Sequence, residues 1–332
     1  MTSVVTHARI AAFPHCQRRS TVRTPRNGLD WSTDGANWPN RSASRFVKTE
    51  TLTWHVQIMG RGPILLLAHG AGACSSSWRD LMPSLANDFT VVAPDLHGHG
   101  FTGMPGASGM TVDAMAAGLG ALLLALGVSP VVAVGHSAGA AVLARLVLSR
   151  IIAAPAVLVA LNGAMLPIPG FAGPLCRSAA RLLALTPILP WMFSRRVHRP
   201  GVIERLIANT GSRLNDAGLD AYARLMGNPG HVRNVLHMFA NWDLRQVLRD
   251  LPSLPCRLVL VAAEGDRAVP PLAAYRTAAH VPGCELIVHK GYGHLSHEEA
   301  PEETAAIIRR VARDSGVAAE PEGARQAEPA AA

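Results

Sequence analysis

Three polar residues far apart in the chain have the types needed to make an activated nucleophile: a serine at 137, an aspartate at 266 and a histidine at 294. A serine hydroxyl is a weak nucleophile until a neighbouring base takes its proton, and the base needs a third group to orient it. Ser137 stands in Gly135-His136-Ser137-Ala138-Gly139, a G-x-S-x-G pattern between the apolar run "PVVAVG" (130–135) and the helical pattern "AGAAVLARLVLSR" (138–150). A sharp strand-to-helix turn needs residues without bulk beside the serine, so that its hydroxyl projects from the end of a sheet. The five residues alone also fit a plain Gly/Ser turn. The strand before and the helix after favour the nucleophile.

The base and its orienter are expected downstream, in the order serine, acid, histidine. Asp266 closes "CRLVLVAAEGD" (256–266), in the loop after an apolar strand, and His294 lies in "VHKGYGHLSHEEAP", after the last strand. Each also reads as an ordinary loop residue. His297 competes with His294, but it opens the final helical pattern, where an exposed or cap-proximal place is expected. Asp95, at the end of "FTVVAPD", precedes the serine and is assigned to loop structure. A developing oxyanion needs two preorganised N–H donors. Ala138, directly after the serine, and Ala71 in "HGAGACSS", where small residues let the backbone approach a ligand, are the candidates.

His69, His97 and His99 have no accompanying cysteine or carboxylate cluster at ligand spacing, so no metal is expected, and no cofactor. There is no G-x-x-x-x-G-K-[ST] loop for ATP. Five cysteines, odd in number and without a CxxC pair, suggest neither a disulfide framework nor a zinc site and fit a cytoplasmic setting. The net charge of +8 comes almost wholly from arginine without a dense basic run, which argues against nucleic acid as partner. A polyanionic or membrane surface stays open.

Elements must hold these residues together. Strand-like runs at 63–70, 89–95, 130–135 and 156–163 alternate with helical ones at 75–86, 110–127 and 138–150, after a hairpin over 45–60. The rhythm predicts a mostly parallel sheet flanked by helices. It breaks between about 163 and 242, where helical patterns rich in Leu, Ile, Pro and Arg suggest an inserted lid. It resumes with strands at 256–266 and 284–291 and a helix at 301–314. The chain therefore divides into a core over 37–162 and 243–314, a helical lid over 163–242, a disordered extension over 1–36 and a disordered Ala/Glu/Pro tail over 315–332. No apolar stretch is long and unbroken enough to span a bilayer.

The segments "HGAGA", "DLHGHGFT", "GHSAGA", "GDRAVP" and "GYGH", in this order, resemble the α/β-hydrolase superfamily over roughly residues 40–314. The resemblance implies the α/β-hydrolase fold. "DWSTDGANWPNRSASRFV" and "LTWHVQIMGRGPILLLAHGAGACSSSWRDLMP" further resemble the magnesium-chelatase accessory proteins of bacteriochlorophyll biosynthesis. That likeness implies a role in photosynthetic pigment synthesis near the entry of Mg²⁺ into protoporphyrin IX. It also implies chelatase subunits as partners, and a place in the cytoplasm or peripheral to the inner or photosynthetic membrane.

Within the lid, "MLPIPGFAGPLCRSAARLLALTPILPWMF" (165–193) could wall an apolar pocket or be ordinary lid core. Nine arginines face three acids between Gly163 and Asn241. Most read as a solvated helical face. Arg195, Arg196 and Arg199 are the candidates for meeting porphyrin propionates or phospholipid headgroups. Three functions remain open: a serine hydrolase of ester-type bonds in the pigment pathway, acting on an apolar or tetrapyrrole-like molecule; a non-catalytic porphyrin- or chelatase-binding protein; and a general carboxylesterase outside that pathway. A serine rather than an aspartate at the turn weighs against dehalogenation and epoxide opening.

Overall fold

Aliphatic runs with no alternation of polarity suit strands buried on both faces, which have no solvent side to make polar. The computed structural model describes residues 28–167, 183 and 186–317. The runs form β3 (Ile64–Ala68), β4 (Thr90–Pro94), β5 (Val132–His136), β6 (Val157–Leu161) and β7 (Arg257–Ala263). β1 (Ser44–Lys48) and β2 (Thr53–Met59) make the expected hairpin, and β8 (Glu285–His289) closes the far edge. The sheet order is β1-β2-β4-β3-β5-β6-β7-β8. β1 with β2 and β2 with β4 run antiparallel, and every other neighbouring pair is parallel. The α/β-hydrolase fold expected from the sequence is the fold observed.

The helices are α1 (Leu81–Leu85), α2 (Val112–Leu126) and α3 (Ala138–Leu148), then α4 (Ile188–Val197), α5 (Val202–Ala208), α6 (Asp216–Met226) and α7 (Pro229–Asn241) between β6 and β7. α8 (Arg245–Asp250), α9 (Leu272–His280), α10 (Ser296–Glu299) and α11 (Pro301–Asp314) complete the chain. Successive strand residues point to opposite faces, and the core divides accordingly. Leu66, Ala68, Ala133, Leu158 and Leu260 pack with α2 and α3, while Leu65, Leu67, Val134, Val159 and Val261 pack with α1 and α11.

After β3 the chain crosses to β4 on one side, yet β5 pairs with β3 on the other. Loops leaving the carboxyl ends of β3 and β5 therefore diverge, which opens the crevice where sheets of this kind bind ligands. The same edge of the sheet releases Gly70, Ser137, Asn162, Asp266 and His294.

Some expectations are corrected. The extension expected to reach residue 36 is ordered by Gly28: Leu29 packs with Trp38, Cys74, Phe101 and Leu225, and Trp31 meets Phe101 edge-on at 4.9 Å. The apolar pair Leu29/Trp31 supplies this burial. The helix expected over 75–86 is a 3₁₀ turn at Ser75–Trp78 followed by short α1. Its serines do not cap: the Ser75 N–H donates to Asp95 Oδ1 at 2.7 Å, and Ser77 is taken by a buried network. Of the expected tail, Val317 is buried against the α11 side of the sheet. Residues 1–27, 318–332 and the apolar lid stretch over 168–182 lie outside the described residues. No helix among the described residues is long and apolar enough to cross a membrane.

Candidate active site

β5 ends at His136 and α3 begins at Ala138, so Ser137 alone makes the turn, at φ 50° and ψ −118°. A residue with a Cβ in this region stores about 1–3 kcal/mol of strain. Its own backbone bonds hold it there: the Ser137 N–H donates to the Leu161 carbonyl at 3.0 Å, and its carbonyl accepts from Ala140 and Ala164 at 3.2 and 3.0 Å. The neighbouring glycines permit the approach. A Cβ on Gly139 would overlap the Ala68 carbonyl, and one on Gly70 would lie 3.1 Å from Ser137 Cβ.

The structure brings Ser137, His294 and Asp266 into one row. Ser137 Oγ is 3.1 Å from His294 Nε2, and His294 Nδ1 donates to Asp266 Oδ2 at 2.8 Å. The carboxylate can only accept, which fixes the neutral imidazole with its proton on Nδ1 and its lone pair towards the serine. Asp266 is held in turn: Oδ1 accepts from the Ala268 and Val269 N–H groups, each at 2.8 Å. All three residues are under a tenth exposed, so water screens the row weakly.

Ala138 follows the serine directly, and Gly70, the neighbour of Ala71, lies against Ser137. Neither the Ala71 nor the Ala138 N–H has an acceptor among the described residues. Ala138 is the first residue of α3, where the helix dipole also favours negative charge. The carbonyls beside Ala71 are turned away by histidines: His69 Nδ1–H donates to the Gly70 oxygen at 2.8 Å, and His231 Nε2–H, from α7, to that of Gly72 at 3.2 Å. His97 and His99 are bonded to the Gly109 and His97 carbonyls.

Asn162, unremarked in the sequence, stands at the end of β6 with φ 48°. Its Nδ2 donates to Asp266 Oδ2 at 2.8 Å, while its Oδ1 accepts from Ser296 Oγ at 2.7 Å. An asparagine just after a buried strand is the only sequence signal; asparagine tolerates the left-handed region and carries both a donor and an acceptor.

His297 corrects an expectation. It is 1% exposed, its ring 4.3 Å from that of His136, and its Nε2–H donates to Ser77 Oγ at 2.8 Å. Ser77 donates to Glu298 Oε1 at 2.6 Å, Tyr222 of α6 donates to the same oxygen at 2.8 Å, and Arg79 closes an ion pair with Oε2. Nothing local in "SHEE" reports burial, because the partners lie up to 221 residues away.

A second Ser-His-Asp row joins the β1–β2 hairpin to the loop after β4. His55 Nδ1 donates to Asp95 Oδ2 at 2.8 Å and His55 Nε2 faces Ser44 Oγ at 3.0 Å. Asp95 also accepts from the Ser75 and Phe101 N–H groups, which ties its own loop after β4 to the loop after β3.

Burial lowers the pKa of His69, His97, His99, His136, His231 and His297, that of His231 from 6.5 to about 4. Glu298 moves the other way: burial raises it, against the lowering effect of Arg79. The signs give a pH prediction. Below pH 6.5 the unfolded chain binds protons that these folded histidines refuse, so stability falls as pH drops from 6.5 towards 4, each histidine contributing at most about 1.4 kcal/mol per pH unit. Glu298 opposes this with a single group, whose effect favours the fold as pH falls. Urea unfolding at pH 7.5 and 5 is therefore expected to show a much lower midpoint at pH 5. An unchanged midpoint would mean that the histidines are protonated in the fold.

The lid arginines singled out in the sequence lie at the surface. Arg195 and Arg196 are exposed on α4 and Arg199 just beyond it, with the Arg195 guanidinium 4.9 Å above the Trp191 ring.

Residues 65–307 match the model of the alpha/beta hydrolase family. The magnesium-chelatase 30 kDa subunit of Rhodobacter capsulatus is 35% identical over 275 residues, 82% of this chain and 95% of that protein. Pyrrolizixenacetamide deacetylase of Xenorhabdus hominickii is 30% identical over 273 residues, covering 76% and 91%. Among solved structures, a thermophilic esterase from Thermogutta terrifontis superposes with a TM-score of 0.64 at 23% identity, over 82% of this chain and 98% of that one, a likeness of fold.

Proposed function

This chain belongs to the alpha/beta hydrolase family, and from that premise we propose that it is a serine hydrolase of an ester-type bond, acting in bacteriochlorophyll biosynthesis near the insertion of Mg²⁺ into protoporphyrin IX. The Ser137–His294–Asp266 row carries the hydrolytic part. The kinship with a magnesium-chelatase subunit along nearly its whole length supports the pathway part, and with it association with chelatase subunits and a cytoplasmic place peripheral to the pigment-forming membrane.

In this mechanism His294 Nε2 takes the Ser137 proton as Oγ bonds to the acyl carbon. Asp266 stabilises the imidazolium, and the Ala71 and Ala138 N–H groups hold the oxyanion. Collapse of the tetrahedral adduct breaks the bond to the alcohol, which leaves with the proton from His294. Water, deprotonated by the same imidazole, then frees the acid and restores the serine. The substrate is apolar or tetrapyrrole-like.

A fluorophosphonate, which reports an activated serine, tests the reading. Intact-mass measurement of the folded protein should show one adduct, mapped to Ser137. The kinship with a magnesium-chelatase subunit favours one competing reading, a porphyrin- or chelatase-binding protein that makes no acyl-enzyme. No adduct on the folded wild type would favour that reading and overturn ours.

Asn162 supplies a finer test. Asn162→Gly keeps the left-handed backbone but removes the donor to Asp266, and is expected to lower kcat about a hundredfold with KM little changed. A change confined to KM would place Asn162 outside the row's positioning.

A further inference from the structure

A surface helix ordinarily turns its large apolar side chains inward. α4 does the reverse. Pro190, Ser194 and Val197, spaced four and three residues apart, form its buried stripe, while Ile188, Leu189, Trp191, Met192 and Phe193 are exposed, Ile188 by 63% and Met192 by 53%. The Ser194 hydroxyl enters the buried side with no hydrogen-bond partner among the described residues. Five large apolar residues in ten thus face out along one short helix, an arrangement that marks a binding surface more than a scatter of single exposed residues does.

The charge on this helix and in the turn after it is of one sign: from Ile188 to Ile203 the sequence has arginines at 195, 196 and 199 and no aspartate or glutamate. Among the described residues, Arg195, Arg196 and Arg199 pair with no carboxylate. The Arg195 guanidinium lies over the Trp191 ring, which keeps a cation beside an aromatic that belongs at a polar–apolar boundary. A second copy of the chain is a poor occupant, because a two-fold contact would set arginines against arginines with no acid in the segment to separate them.

We infer that α4 is a docking face for an anionic lipid bilayer, with Trp191, Met192 and Phe193 entering the headgroup–acyl boundary and Arg195, Arg196 and Arg199 meeting lipid phosphates. The inference deepens, and rests on, the peripheral-membrane part of the proposed function. It assigns that contact to one helix: α4 packs on α7, which carries His231 against the Gly72 carbonyl, so the bilayer-facing helix and the loop of Ala71 share a support.

Co-sedimentation with phosphatidylcholine vesicles, with and without phosphatidylglycerol, tests it, together with tryptophan emission. The full chain should sediment with the phosphatidylglycerol vesicles, weakly with phosphatidylcholine alone, and its emission should shift to the blue. Arg195→Gln with Arg196→Gln should weaken partitioning about thirtyfold. Trp191→Ser with Met192→Ser should abolish both binding and the shift. These side chains are exposed, so circular dichroism melts of the variants should match wild type. Ser137→Ala should bind vesicles as wild type does, which separates this result from any failure of the hydrolase. Binding indifferent to phosphatidylglycerol, or unchanged in the Trp191/Met192 variant, overturns the inference. So does an absence of vesicle binding together with a concentration-dependent dimer that the same variant abolishes.

Discussion

Ser137→Ala is expected to lower turnover of an activated ester about 10⁶-fold and to remove the fluorophosphonate adduct, with no measurable loss of fold. The fold should survive because what holds position 137 is backbone: the N–H to Leu161 and the carbonyl to Ala140 and Ala164. Alanine carries the same Cβ as serine, so the strain at φ 50° is unchanged. Asp266→Asn should cost about 10⁴-fold through a different route. An amide has one acceptor oxygen, and four donors now converge on Asp266: the Ala268 and Val269 N–H groups, Asn162 Nδ2 and His294 Nδ1. With its oxygen on the backbone pair, the amide would set its NH₂ against His294 and move the imidazole proton to Nε2, where it cannot accept from the serine. The double variant should be no slower than Ser137→Ala alone, because the residues act as a unit. In cells, pigment kept by Ser137→Ala would sink an essential hydrolytic role even where labelling is lost.

The second large effect is on stability. Glu298→Ala should destabilise the fold by about 3–5 kcal/mol, read from urea denaturation, because it leaves the buried Arg79 guanidinium with only the half-exposed Asp80 and leaves Ser77 and Tyr222 without their acceptor. Tyr222→Phe removes one of several bonds to the same carboxylate and should cost about 1 kcal/mol. The contrast matters because Tyr222 belongs to α6, whereas Ser77 and Arg79 follow β3 and Glu298 lies four residues beyond His294. A loss in Tyr222→Phe as large as in Glu298→Ala would mean that the network is held chiefly from the inserted helices.

What the sequence made legible was whatever depends on near neighbours. The aliphatic runs announced strands because both faces of β3 to β7 are buried, and the glycines around Ser137 announced close packing because no side chain fits there. Ser137, Asp266 and His294 were readable because each follows a recognisable strand. Asn162 was not: its role comes from pairing with residues 104 and 134 positions away. Nor was the burial of His297 and Glu298, whose partners lie 76 to 221 residues away. α9 left little trace because it buries only Thr277, so no apolar stripe marks it. Residues 28–36 were misjudged because Leu29 and Trp31 gain their burial from Cys74, Phe101 and Leu225, far along the sequence.

The pairing of Ser44, His55 and Asp95 turns this molecule into its own reference sample. The same three side chains stand in the same hydrogen-bonded order twice, but Ser44 sits in an edge strand, without the left-handed backbone of Ser137 and away from the Ala71 and Ala138 N–H groups. One mass spectrum of a fluorophosphonate-treated sample therefore compares the two serines in a single solution. The ratio of adduct on Ser137 to adduct on Ser44 measures how much reactivity the turn and its amides confer beyond the trio of side chains.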